Sequence, residues 1–206
     1  AEGVSIGTDW QAMGMRGTGS STIRLDGVFE PGTSVSLRRP QGPFHPAFAV
    51  ILTVAMPLIV SAYLGAADKA VELVRDRLTG RPEDPTAPPA MGDLTNAHAT
   101  AEIAWESLVA LANDLDFTPT AELASTVLTR KTIAATHLKA IGDKALAAVG
   151  GAGYLRRTGI ERFVRDLLAA QFHPLPERRQ QLFTGRLALG LDPVESAGDR
   201  AKAKAA

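Results

Sequence analysis

Apolar and polar residues alternate at the start of the chain, at Val4-Ser5-Ile6 and again at Ser21-Thr22-Ile23-Arg24-Leu25. A period of two is that of a strand with one buried face. Gly14, Gly17, Gly19, Gly27 and Gly32 separate these runs, and Pro31-Gly32 closes the last. The pattern predicts two or three short strands over residues 1–37, the end of a β-domain that is marginal without a further face to pack on. Residues 38–45 (RRPQGPFH) read as a Pro/Gly linker.

Beyond the linker the spacing becomes helical. A long helix is expected from about Pro46 to Leu78, kinked near Pro57. Four prolines between Arg81 and Met91 predict a loop. A second helix follows from about Asp93, an acidic N-cap, to Asp114. Pro119 opens a third, with Thr118 as its cap, running to about Val149 and placing Leu123, Val127, Ile133, Leu138 and Ile141 on one face. A fourth covers Gly159 to Gln171, and a fifth runs from Pro176 to about Leu189. The fold class is therefore α+β and mainly α. A short antiparallel β remnant precedes an up-and-down bundle of four or five helices over residues 46–193, and an Ala/Lys-rich flexible tail covers 194–206.

Phe48 to Ala67 contains no charge in twenty residues, enough to cross a bilayer. Pro57, Thr53, Ser61 and the many alanines suit a crowded protein interior at least as well. The expectation is a helix buried on all sides, with no membrane partner and a cytoplasmic location. Basic and acidic residues balance at 22 each, which gives no reason to expect a nucleic-acid partner. The absence of cysteine excludes disulfides, thiolate catalysis and cysteine-ligated metal centres. His45, His98, His137 and His173 are not spaced as a helical metal pair, so metal catalysis is not expected. Neither a Gly-x-Ser-x-Gly elbow nor a phosphate-binding P-loop occurs. The chain opens without methionine or a basic-then-apolar leader, as expected of a processed chain or of one starting partway through a longer polypeptide.

Gly150-Gly151-Ala152-Gly153-Tyr154 is the strongest candidate for chemistry. Its glycines leave backbone amides open to an anionic or bulky ligand, and Arg156, Arg157, Arg162 and Arg165 follow. The same residues also read as a helix C-cap and turn. They are not a Rossmann fingerprint, because they follow a helix rather than a strand.

Several segments in the same order resemble the acyl-CoA dehydrogenase family of flavoproteins. They are Met13-Gly14-Met15-Arg16-Gly17-Thr18-Gly19-Ser20, Ile23 to Phe29 with Pro31, the glycine cluster, Glu161-Arg162-Phe163-Val164-Arg165-Asp166, and Gly185-Arg186 with Leu189-Gly190. The resemblance covers about residues 1–190 and implies the end of a middle β-domain plus a C-terminal helical domain, the back half of such a protein. It implies FAD as cofactor, an acyl-CoA or other small-molecule substrate, and a homo- or hetero-oligomer. Gly150, Gly151 and Gly153 would contact the adenine-dinucleotide part of a neighbouring subunit's FAD. Ala147 stands where the family usually has glutamine. Arg77 or Arg81 would meet the pyrophosphate, the alternative for both being plain surface charge. Arg165 and Asp166 are expected to form a structural ion pair that orients the glycine turn.

The resemblance breaks at the catalytic base. Dehydrogenation of an acyl thioester needs a carboxylate to remove the α-proton. The family's usual glutamate position is Pro174 here, and its alternative position falls near Ala55. His173 is the titratable side chain beside the usual position, either as a catalytic group or as a residue packed beside a Pro-flanked turn. Its Phe-His-Pro setting resembles the flavin-dependent monooxygenase branch of the same fold. Three functions stay open: an FAD-dependent acyl-CoA oxidoreductase, a flavin-dependent monooxygenase, and a non-catalytic subunit completing a neighbour's FAD site.

Overall fold

The computed structural model describes residues 3–28, 32–34 and 42–194. Pro31, residues 38–41 of the expected linker and the tail beyond 194 lie outside the described residues. Strand β1 (Val4–Ile6) pairs antiparallel with β2 (Ile23–Leu25), setting Val4 opposite Leu25 and Ile6 opposite Ile23. The alternation correctly marked these strands, but the expected buried face is absent: Ile6, Ile23 and Leu25 are 71%, 61% and 67% exposed.

Three long helices form the core: α1 (Ala47–Thr79), α2 (Ala87–Asn113) and α3 (Ala121–Val149). Their neighbours are antiparallel. Trp105 Nε1 of α2 donates to the Pro57 carbonyl of α1 at 3.0 Å, while His98 reaches back to Asp68 at 2.6 Å. Likewise Asp93 meets Lys144, and Ser107 meets Arg130, between α2 and α3. Two short helices, α4 (Ile160–Leu167) and α5 (Glu177–Ala188), close the bundle, with a 3-10 turn over Leu168–Phe172 between them.

On α1 the buried residues Leu52, Met56, Val60, Tyr63, Ala67, Ala70 and Val74 recur every three or four positions and face α2, α3 and α4. The opposite side carries Val50, Ile51, Val54 and Leu58, which are exposed. Burial on all sides is thus corrected to burial on one. α1 is the one described helix long and apolar enough to cross a membrane by length and composition. Pro57 lies within it, where the missing N–H removes one helical bond.

The helix starts moved for local reasons. α2 begins at Ala87, six residues before the expected cap at Asp93, because Pro88 and Pro89 occupy its first turn, where no N–H partner is needed. The cap of α3 is Thr120, not Thr118: its hydroxyl accepts from the Leu123 amide at 3.1 Å. Ile133 stands off the buried stripe and is 43% exposed, whereas Lys131 stands on it among Val127, Leu128, Ala134, Ala135 and Leu138.

Candidate functional site

The loop after β1 is docked onto α4 by its backbone. Asp166 Oδ1 accepts from the Met15 amide at 2.6 Å, and Arg165 donates from its guanidinium to the Met13 carbonyl at 2.6 Å. Gly14 between them is buried, and a Cβ there would overlap the Arg165 carbonyl. Charge-assisted bonds of this kind each contribute about 1.5–3 kcal/mol. Met15 takes the left-handed region (φ 49°) at this contact. The expected Arg165–Asp166 pair is corrected accordingly. Arg165 pairs with Glu161 at 2.7 Å, Asp166 lies 3.8 Å from Arg162, and both orient the 13–15 segment rather than the glycine turn.

This docking opens a cleft of about 480 Å³ lined by Met15, Arg16, Gly17, Thr18, Arg162, Arg165 and Asp166. Asp166 also faces Tyr63, whose hydroxyl pKa rises through burial first and the Asp166 charge second. Tyr63 Oη in turn lies 2.6 Å from His173 Nε2, with the two rings edge to face at 5.3 Å. His173 is half-buried, and burial followed by the Lys131 charge lowers its pKa below the ordinary 6.5. The imidazole is therefore neutral at pH 7. Either it accepts the tyrosine proton at Nε2, or it donates from Nε2 to the phenol oxygen.

Behind this pair stands Lys131, 2% exposed. Its ammonium donates to the His173 carbonyl at 3.0 Å and to the Leu175 carbonyl at 2.6 Å. Burial brings its pKa down from 10.5 to about 8, opposed by the Glu177 charge. Lys131 and Ala135 of α3, Ile59 and Val60 of α1, and Ala170 close around the Tyr63–His173 contact. Pro174 presents no acid there, and Ala55 is partly buried against the core.

The glycine turn lies elsewhere. Val149 ends α3 fourteen residues beyond Ala135, roughly 20 Å along the axis at 1.5 Å per residue. Gly150 has φ 64° and ends the helix, and a Cβ at Gly150 or Gly151 would meet nothing within 4 Å. Gly153 is different: it is buried, and a Cβ there would overlap Val149. Gly159, which opens α4, faces Leu73 of α1, one turn before Arg77. Arg77 therefore shares this end of the bundle with the turn. Its Nε is buried and has no hydrogen-bond partner among the described residues, the kind of orphaned donor that a phosphate oxygen satisfies. Arg81 is exposed on the following loop. No cluster of metal-ligating side chains occurs among the described residues.

Three core helices, a docked β segment and a His/Tyr contact between α1 and the stretch leading into α5 make up this helical domain. Residues 57–177 match the family described as acyl-CoA dehydrogenase, C-terminal domain, and the chain belongs to that family. Its particular likenesses are narrower. It is 28% identical over 192 residues to a pigment production hydroxylase of Rhodococcus sp., across 84% of this chain and 50% of that protein. It is also 28% identical over 181 residues to the amino sugar nitrososynthase DnmZ of Streptomyces peucetius, across 84% and 45%. Among solved structures it superposes on KijD3 in complex with FMN and a dTDP-amino-keto sugar with TM-score 0.79 and 26% identity, covering 92% of this chain and 49% of that one. The 3-HSA hydroxylase of Rhodococcus sp. RHA1 shares the fold, with TM-score 0.71 and 22% identity over 92% of this chain and 54% of that one. The chain spans about half the length of the curated relatives it matches.

Sequence reasoning singled out His173 but missed its companions. Tyr63 lay inside an apolar run and read as core. Lys131 carried a usable signal, a lysine three and four residues from apolar neighbours on one stripe. The docking role of Asp166 had no local signal, because its partner lies 151 residues away.

Proposed function

We propose that this chain is the C-terminal part of a flavin-dependent monooxygenase of the acyl-CoA dehydrogenase fold, with His173 and Tyr63 at the reacting centre. The observation that carries this reading is the Tyr63–His173 hydrogen bond beside the position where a dehydrogenase needs its carboxylate. The nearby carboxylates are committed elsewhere. Asp166 holds the Met15 amide, and Glu177 accepts from Gln181 at 3.0 Å. The relative named as a hydroxylase and the FMN complex of KijD3 support the same reading.

A reduced flavin, when bound, supplies two electrons, so that one oxygen atom of dioxygen enters the substrate and the other leaves as water. The protein's part is to hold protons in place. His173 is neutral at pH 7 and shares a proton with Tyr63, so the pair accepts or returns a proton at Nε2 or Oη without a buried ionised carboxylate. Open backbone at Gly150 and Gly151 and the free Nε of Arg77 would meet the phosphate part of FMN or FAD, with Gly153 packing the turn and Arg81 at its edge. The turn lies roughly 20 Å along α3 from Ala135, which lines the Tyr63–His173 contact, so a flavin meeting both would be an extended FAD or one held between two copies of the chain. The substrate is then a small molecule other than an acyl-CoA.

Two anaerobic and aerobic assays separate this from acyl-CoA oxidation. Flavin bound to the protein should stay oxidised when acyl-CoA thioesters are added without oxygen. Added reduced flavin should support oxygen consumption that depends on the protein. Bleaching of the flavin by an acyl-CoA would restore the dehydrogenase reading.

A further inference from the structure

We propose that Lys131 is the positioning residue of the Tyr63–His173 pair: its ammonium holds the backbone on either side of Pro174 so that the imidazole meets the phenol. The inference deepens the reading of that pair as the reacting centre, although the geometry it rests on needs no flavin.

Lys131 occupies a position that an apolar side chain would fill at lower cost. It sits on the buried stripe of α3, between Leu128 and Ala135, and an ammonium withdrawn from water is unfavourable unless it is fully bonded. Its bonds go to no carboxylate. They go to the carbonyls of His173 and Leu175, in the stretch between the 3-10 turn ending at Phe172 and the start of α5 at Glu177. That stretch has no helical bonds of its own to fix these two carbonyls. The side-chain bonds that reach it from the described core are the two from Lys131 and the one between Tyr63 and His173. His173 is thus gripped by its backbone from α3 and by its ring from α1, two helices that the core holds rigid. Removing the first grip leaves the ring free to leave the second.

Burial and then the Lys131 charge lower the His173 pKa, while the charged groups farther out act on its neighbours: Asp166 of α4 on Tyr63, and Glu177 at the start of α5 on Lys131. A residue that only stabilises the fold would change the melting temperature and leave the coupling between His173 and Tyr63 intact. A positioning residue would break that coupling.

The test is a double-mutant cycle read by NMR on the imidazole of His173 in the full chain without flavin. Tyr63→Phe should shift the His173 pKa by about half a unit or more when Lys131 is present, as the loss of a short hydrogen bond does. In a Lys131→Met background the same change should shift it by less than half as much. Equal shifts in the two backgrounds would overturn the proposal. If circular dichroism shows that Lys131→Met does not fold, the cycle is run in Lys131→Arg. There the charge survives, but the wide planar guanidinium does not reproduce both carbonyl bonds, so the coupling should again fall by half or more. An undiminished coupling in that variant would equally overturn it. Because no turnover is measured, the proposal survives or fails independently of the monooxygenase assay.

Discussion

His173, Tyr63 and Lys131 show how burial selects protonation states at this site. Burial penalises the charged form of each, so the imidazole and the ammonium fall in pKa and the phenol rises. Lys131 gives the clearest stability consequence. Its folded pKa of about 8 is below its ordinary 10.5, so between those values the unfolded chain keeps a proton that the folded chain has released. Stability from this group therefore rises with pH above 8, while below 8 both states hold the proton and the desolvation cost is fully present. Tyr63 acts in the opposite sense above pH 10, where the unfolded chain ionises first and stability falls. Between pH 8 and 10 the urea midpoint of the wild type should climb relative to Lys131→Met. A difference that stays flat over this window would show that Lys131 keeps its ordinary pKa in the fold.

At the scale of elements, helix ends were read with unequal success. The helices themselves were legible because their apolar residues recur at helical spacing, and α3 stopped where the glycines said it would, at Val149. The start of α2 was not legible, because four prolines in a row of eleven residues suggest a loop whether or not two of them begin a helix. The glycine turn was recognised as one motif, yet its glycines divide into two kinds. Gly151 is open and has no positive φ, so Gly151→Leu should leave thermal stability within about 0.5 kcal/mol of wild type. If the turn meets the flavin, the same change should weaken flavin binding tenfold or more. Gly153→Ala, which forces a methyl group into Val149, should cost about 1–3 kcal/mol. Calorimetry and flavin fluorescence titration on both variants check this. A Gly151→Leu protein that binds flavin like the wild type would remove the turn from the cofactor site.

Across the whole molecule, apolar surface stays open in two places. The β ribbon is open on both faces, and α1 bares Val50, Ile51, Val54 and Leu58 along one side. The alternating pattern at the N-terminus gave the strands but not what should cover them, since a buried face is written in the same residues whichever chain or segment supplies the cover. The candidate site was half legible for a related reason. His173 stood out by comparison with a family position, whereas the side chains bonded to it come from 42 and 110 residues away. Only the tertiary fold brings these together. It also sets Asp166 beside Tyr63 and thereby joins the docked 13–18 loop to the His/Tyr pair.

The central claim is that Tyr63 and His173 face a reduced flavin as it reacts with dioxygen. Its most direct test is the rate at which protein-bound reduced flavin is reoxidised on rapid mixing with oxygenated buffer, in the wild type and in His173→Ala. A positioned acid–base group contributes about 10²–10⁴-fold to a proton-coupled step, so the account predicts a change in that rate of at least tenfold, with Tyr63→Phe changing it in the same direction. Identical reoxidation in the wild type and His173→Ala would contradict it.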